Sequence, residues 1–512
     1  MSRKNGGIIG PANTPVGGLF KGVAGGVWRM NDVANFVSNS QWPSAPQSID
    51  NSCRFNGSSD YLNRTPSSAG NLRTMTFSFW MKRAKLESDA QRIFSIFENS
   101  GAEQFWLRTA DSSNDYIDFF SQTSSSQTLR LVSSARLRDL SAWYHIVVAV
   151  DTTQATDSNR IKMYINGVQQ TSFSTTSYPS QNTDLEWNKA VPNMVGAQQS
   201  GGSSEFIDMY LAEVCFIDGL QLDPTSFGET DSTTGIWKPK KIGSFASAGT
   251  NSFYLDFKDS SNLGNDASGL SNNFTVNNLT SIDQSTDTCV ENFSTMNPLV
   301  YNTSTSVVFA EGNLQVSTTD SAVFGSVSTI GASSGKWYME VKPTQIENKM
   351  AIGVTAAASA DAINNHRPGD GAFSAGIRSS GDAKLNGSSE SGSWDSFTTS
   401  DIVGVALDLD NNKLYFSKNG TFMNSGDPTS GSTGTGAISL TDPASTTDGF
   451  YFFAFGDPGA GSGTANIAQF NFGSPPYSIS SGNADANGFG NFEYSVPSGY
   501  YALNTSNLNT YG

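Results

Sequence analysis

Trp143-Tyr-His-Ile-Val-Val-Ala-Val-Asp151, followed after a short polar stretch by Ile161-Lys-Met-Tyr-Ile-Asn-Gly167, decides the fold class. The first stretch is a near-continuous apolar run, as expected for a central strand covered on both faces. The second alternates, and its Asn166-Gly167 pair signals a hairpin, because a tight two-residue turn needs positive φ at both central positions. Upstream, Met75-Thr-Phe-Ser-Phe-Trp-Met81 alternates strictly, which places Met75, Phe77, Phe79 and Met81 on one face. Residues 92–97, 105–108 and 115–119 read as further strands at short intervals. Many short strands with regular turn signals predict a sandwich and argue against a βαβ fold.

A second set of strands follows within residues 299–475. It comprises Lys336-Trp-Tyr-Met-Glu-Val341, Ala351-Ile-Gly-Val354, Asp401-Ile-Val-Gly-Val-Ala-Leu-Asp408 and Lys413-Leu-Tyr-Phe-Ser-Lys-Asn-Gly420. Alternation puts Val403, Val405, Leu407 and Leu409 on one face, with turns at Asp410-Asn411-Asn412 and Asn419-Gly420. Both sets therefore use the same local device: strand, turn, strand, Asn-Gly.

Composition agrees with this reading and limits function. A chain of 512 residues, at ~150 per domain, suggests roughly three domains. Charged residues make up only 15%, and Gly numbers 50, which favours short strands and polar turns over helix bundles. Acids exceed bases by 46 − 30 = 16, and a net charge of −16 argues against nucleic-acid binding. Two histidines exclude an imidazole-rich metal centre. The longest aliphatic stretch, residues 146–150, is far short of the ~20 that span a bilayer, so no membrane insertion is expected. Basic Met1-Ser-Arg-Lys4 leads into Asn5-Gly-Gly-Ile-Ile-Gly-Pro11 instead of an apolar segment, so no signal peptide and cytoplasmic synthesis are expected. Cys53, Cys215 and Cys289 match no C-x-x-C spacing and are expected to be reduced structural thiols.

Five blocks, in order, are Phe55-Asn-Gly-Ser-Ser-Asp-Tyr-Leu62, Phe77-Ser-Phe-Trp-Met81, Trp143-Tyr-His-Ile146, Tyr164-Ile-Asn-Gly167 and Tyr210-Leu-Ala-Glu-Val214. Together they resemble laminin-G-like, concanavalin-A-type jelly rolls. The strand set of residues 336–420 resembles a SPRY domain, also a two-sheet sandwich. The Gly-Ile-Ile-Gly-Pro head at residues 7–11, with the segment Asp266-Ala-Ser-Gly-Leu-Ser-Asn-Asn-Phe-Thr-Val-Asn-Asn278, resembles multi-domain virion proteins of marine tailed phages. The expected architecture is all-β: two antiparallel jelly-roll β-sandwiches, concanavalin-A-like and SPRY-like, with a Gly-rich N-terminal arm. Its parts are an anchoring arm (1–48), the first sandwich (49–222), a connector (223–298), the second sandwich (299–475) and a C-terminal extension (476–512), the last packed as an edge strand or loop.

The candidate site residues follow from these expectations. In the arm, Trp28, Met30, Phe36 and Trp42 sit among too many glycines to form their own core, and a short helical turn over residues 30–37 would dock on capsid or tail proteins. Trp106, Tyr116, Trp187 and Trp394 are candidate platforms for stacking on sugar rings, each with a core role as the alternative. Retaining glycosidases need two carboxyls ~5–5.5 Å apart. The nearest pattern, Glu205-x-x-Asp208-x-x-x-x-Glu213, has odd separations that would place neighbours on opposite faces of a strand. The laminin-G resemblance makes Glu213 a position that serves the fold. His145 in its apolar strand is expected to be structural, and His366 lies in a loop with no adjacent nucleophile motif. No cofactor is expected. Calcium has two candidate loops, Asp111-Asn114-Asp115 and Asp408-Asp410-Asn411, although turns favour Asp and Asn anyway.

The functional expectation is a non-enzymatic virion structural protein, displayed on the phage surface as a fibre or appendage and anchored by residues 1–48. Its sandwiches would meet host-surface glycan or protein, and its copies would self-associate, as a trimer in a fibre. The alternatives are an architectural capsid or tail decoration without receptor binding, and a glycan-degrading enzyme.

Overall fold

The computed structural model describes residues 49–512 except 87–89, 110–114, 200–202, 233, 302–306, 319–323, 348, 357–366 and 458–464. The arm with Trp28, Met30, Phe36 and Trp42 lies outside the described residues, as do Asp111, Asn114 and His366.

Residues 225–242 belong to one compact unit, and residues 49–224 with 243–512 to another. In the first, Gly228–Thr230 pairs antiparallel with Trp237–Pro239. Lys238 bridges Glu229 and Asp231 at 3.4 and 3.2 Å.

The larger unit holds two sandwiches. In the first, one sheet runs Val168–Gln169, Ile161–Ile165, Trp143–Asp151, Thr74–Arg83, Asp208–Asp218, Ser52–Asn56, Gln284–Ser285. The other runs Phe173–Ser177, Ser126–Ser133, Ile117–Thr123, Glu103–Thr109, Gln91–Glu98, Asn193–Val195, Tyr61–Arg64, Thr275–Asn277. Met75, Phe77, Phe79 and Met81 point between the sheets, as their alternation requires, with Ile146, Val148 and Val150 from the neighbouring strand. Trp143–Asp151 is central and almost wholly buried, as its unbroken apolar run predicts. The strands are antiparallel throughout this sandwich.

The segment read as a connector is woven into these sheets. Phe253–Leu255 pairs with Val214–Phe216 of the long strand, Thr275–Asn277 with Tyr61–Asn63, and Gln284–Ser285 with Ser52–Cys53. Phe253, Leu255, Phe257 and Phe274 join the first core. The physical reason is edge completion: both sheets otherwise expose unpaired backbone at an edge, and this segment covers them.

The second sandwich packs a seven-stranded sheet on a nine-stranded one. Lys336–Gln345, Val403–Asp408 and Lys413–Lys418 lie side by side, and Val403, Val405, Leu407 and Leu409 all reach the core. The C-terminal extension adds Tyr501–Ala502, parallel to Trp337–Tyr338, then a helix Thr505–Tyr511 capped by the Asn504 side chain.

The shared hairpin device is realised with the same chemistry twice. Asn166 and Gly167 have φ of 48° and 77°, and Asn419 and Gly420 have 50° and 79°. In each case the Asn side chain accepts a backbone N–H from the partner strand's start: His145 N to Asn166 Oδ1 at 2.8 Å, Ile402 N to Asn419 Oδ1 at 2.9 Å.

Candidate functional site at the seam of the two sandwiches

A grouping of buried charge lies beside the place where the sandwiches meet. Lys82 ends the alternating Thr74–Arg83 strand, and its ammonium donates to Asp287 Oδ2 and Asn292 Oδ1 at 2.7 Å each and to Phe293 O at 3.1 Å. Lys82 and Asp287 side chains are both 1% exposed. Trp143 Nε1 donates to the other Asp287 oxygen at 3.0 Å. Phe293 itself packs with Tyr338, Phe492 and Tyr500 of the second sandwich.

Direct bonds cross beside it. Tyr210 Oη donates to Gly312 O at 2.9 Å, and Asn313 Nδ2 donates to Ala84 O at 2.7 Å. Gly312 is required twice over: its φ is +61°, and a Cβ there would sit 2.3 Å from Tyr210 Oη. Arg54, buried in its strand, reaches Asp283 at 3.5 Å and Glu311 of the second sandwich at 3.3 Å. Ser285 and Ser474 hydroxyls meet at 2.7 Å.

Burial perturbs the acids near this seam. Desolvation, then the charge of Asp283, raises Asp60 to about 6. Desolvation raises Asp208 to about 7 against the pull of Lys85. Glu213 is likewise raised to about 7 by burial. Asp287 stays above the usual carboxylate range because burial outweighs the Lys82 ammonium. The seam is a place where folding holds carboxyls against their solvation preference.

The four aromatic candidates separate clearly. Trp187 is 1% exposed, ringed by Phe77, Phe94, Phe105 and Phe216 at 5.3–5.9 Å centroid distance, and is the centre of the first core, so its faces are unavailable to a ligand. Trp106 stacks on Phe120 at 3.7 Å, with the Arg92 and Arg108 guanidinium groups 4.3 and 4.8 Å from its ring centre. Tyr116 is half-buried with Arg136 at 5.3 Å. Trp394 packs against Phe416 on the second core. Trp106 and Tyr116 lie on the first sandwich and Trp394 on the second.

The carboxylate pattern also resolves. Glu205 precedes the strand and is engaged by Arg92 at 2.6 Å and Arg108 at 3.7 Å. The parity argument fails for Asp208 and Glu213, because a bulge between Ala212 and Cys215, with Glu213 at φ +51°, resets the alternation. Five residues of strand still separate them by about 16 Å of chain, well beyond the spacing of a retaining pair. Asp208 is influenced by Lys85 and Glu311, whereas Glu213 is hydrogen-bonded to Tyr254.

His145 is 1% exposed, within 3.0 Å of Ser78 Oγ, stacked on Trp80, and lowered to about 3 by burial. Cys53 and Cys215 are buried, Cys289 is half-buried, and burial pushes all three thiols up. The described calcium candidates face the chain's own cations: Asp115 meets Arg83 and Arg138 at 3.2 and 2.8 Å, and Asp408 meets Lys336 at 2.9 Å. Among the described residues no group of three or more His, Cys, Asp or Glu is arranged to hold a metal, and no helix is long and apolar enough to cross a membrane.

Sequence reasoning missed the seam residues Arg54, Lys82, Asp287 and Gly312. The available signals were a Lys at the end of an otherwise apolar-alternating strand and an Arg inside Cys53-Arg54-Phe55.

Comparison with known proteins places these sandwiches. Residues 56–220 match the family model described as the concanavalin A-like lectin/glucanases superfamily, and residues 336–435 match the SPRY domain. Among solved structures, the SPRY domain of human HERC1 is 14% identical, covering 34% of this chain and 96% of that one, at a TM-score of 0.26. A native heptameric SAP-like pentraxin from Limulus polyphemus is 17% identical, covering 41% and 94%, at 0.28. A putative carbohydrate binding protein from Bacteroides ovatus is 14% identical, covering 46% of this chain and 59% of that one, at 0.29. No curated protein matches the chain. The chain is an all-β protein that carries a laminin-G/concanavalin-A-like domain followed by a SPRY domain.

Proposed function

We propose that the protein is a non-enzymatic adhesion protein of a phage particle, displayed as a fibre or appendage. Residues 1–48 attach it to capsid or tail proteins, and the sandwiches meet host-surface glycan or protein. Copies associate, as a trimer in a fibre, so that weak contacts combine by avidity.

The observation that carries this reading is the seam: the Tyr210–Gly312, Asn313–Ala84 and Ser285–Ser474 bonds and the Arg54–Glu311 pair join the two sandwiches through packed contacts. A rigid pair of binding-type domains suits presentation of surface loops. The groups that could suggest chemistry are engaged elsewhere, Glu205 by arginines, His145 in the core and Glu213 by Tyr254. The matched family's description includes lectins, which supports a glycan partner. The particle role rests on the head and on the segment at residues 266–278, which resemble virion proteins.

The test is binding of the labelled full-length chain to envelope fractions of candidate bacterial hosts. Saturable binding to a polysaccharide or protein fraction is expected. Binding to none favours the architectural alternative, and release of reducing sugar from exopolysaccharide favours the enzymatic one. Deleting residues 1–48 should abolish incorporation into particles, and normal incorporation would sink the anchoring role.

A further inference from the structure

A cleft of about 230 Å³ opens beside the seam, a little below the ~300–1,000 Å³ typical of small-molecule sites. One wall is the segment before and through Gln284–Ser285, and the other is the turn after Asn466–Asn471 together with Asn491. Both walls lie outside residues 56–220 and 336–435, so the cleft exists only because the two sandwiches are joined.

The lining is hydroxyl- and amide-rich, and no lining residue is charged. Ser281, Ser478 and the Asn491 amide make no side-chain hydrogen bond to any described residue. Gln284 Nε2 is held by Phe257 O at 2.7 Å and Lys258 O at 3.0 Å, which leaves its carbonyl oxygen as an oriented acceptor. Tyr477 supplies an aromatic wall, with the Lys342 ammonium 5.0 Å from its ring centre.

The walls are fixed before any ligand arrives. Arg54 Nη2 donates to Ile282 O at 3.1 Å, and Thr280 and Asp283 form a reciprocal capping box around residues 281–283. Opposite, Ser474 is tied to Ser285, and Asn491 is fixed through its main chain to Gly473 and Asn471. Such a site carries little ordering cost on binding.

From this geometry we infer that the cleft between the Gln284 segment and the Tyr477 turn is a binding subsite for a neutral saccharide. A sugar hydroxyl both donates and accepts, which matches serine hydroxyls, a free carboxamide and an oriented carbonyl. An anionic ligand would lack a cation on the lining, and a cationic one would lack a carboxylate. This deepens the adhesive reading and rests on it for its biological meaning, although the subsite itself can be tested alone.

The experiment is saturation-transfer NMR on the full-length chain with galactose, mannose, N-acetylglucosamine and maltose, and with glucuronate and glucosamine as charged comparators. Transfer to at least one neutral sugar, exceeding both charged ones, is expected. Ser478→Trp, which fills the cleft, should abolish it, and Asn491→Ala should weaken it roughly tenfold. Val168→Ala, an exposed position on the sheet edge opposite Gln284–Ser285, should leave it unchanged. Ser281→Ala serves as the gentler variant if Ser478→Trp fails to fold. No transfer from any neutral sugar, stronger transfer from a charged one, or transfer that survives both cleft variants overturns the assignment. Envelope binding that survives Ser478→Trp sinks the subsite as the adhesive contact but keeps the adhesive function. Cleft-dependent sugar binding without any envelope binding does the reverse.

Discussion

Lys82→Met removes an ammonium whose three donors are all used inside the seam, on Asp287, Asn292 and Phe293. At 2.7 Å and an effective dielectric near 20, the attraction to Asp287 alone is about 6 kcal/mol before desolvation is subtracted. What the variant measures is the consequence of leaving Asp287 buried without its counter-ion, which typically costs about 3–5 kcal/mol. Trp143 Nε1 remains as a donor to Asp287, so the lower half of that range is expected. The assay is urea unfolding of Lys82→Met, Asp287→Leu and the double variant at pH 7. The double variant should recover most of the loss, because removing both charges removes the desolvation of each. The pH dependence has a defined sign. Burial already raises Asp287, and losing Lys82 raises it further, so the folded variant binds a proton that the unfolded chain releases. The penalty must therefore shrink as pH falls through that raised value. A single-variant loss below about 1 kcal/mol, or a double variant no better than the sum of the singles, would refute the buried-pair reasoning.

Further outcomes follow from other residues. Gly312→Ala should destabilise by more than about 1 kcal/mol, since its Cβ would meet Tyr210 Oη at 2.3 Å while φ stays at +61°; unchanged urea midpoints would contradict the close approach. Trp187→Ala should cost about 3–5 kcal/mol or prevent folding, and Trp106→Ala distinctly less, as circular dichroism melts would show. Stability should rise as pH falls from 8 to about 6.5, because Asp60, Asp208 and Glu213, raised to about 6, 7 and 7, bind protons in the folded state first. Below that, His145 opposes the trend: lowered to about 3, it stays neutral while the unfolded imidazole takes up a proton. Asp208→Asn should flatten the slope between pH 8 and 6.5, and a midpoint that falls over that interval would sink the argument.

How far each element was legible depends on the range of the interaction behind it. The Met75–Met81 alternation, the apolar run at 143–151 and the two Asn-Gly turns are local, and each appears in the structure with the face and φ values that its chemistry requires. Trp187 offered no such cue. An isolated Trp in a polar stretch reads equally as platform or core, and only the rings of Phe77, Phe94, Phe105 and Phe216 arriving from four other strands decide it. The connector was misleading for a related reason, because its strands are short and polar-flanked and gain meaning only as edges of sheets begun far earlier in the chain, as at Ser52↔Ser285. The parity of Asp208 and Glu213 was lost to a single bulged residue.

By itself the sequence determined the all-β class, the two sandwiches and their hairpin turns, since side-chain period and turn chemistry act over a few residues. The tertiary structure decided where the sandwiches touch and what they enclose. Lys82 and Asp287 are 205 residues apart in the chain, and Ser285 and Ser474 are 189 apart. No local pattern encodes such partners, because their selection depends on which buried charge or hydroxyl lacks another way to be satisfied once the cores have formed.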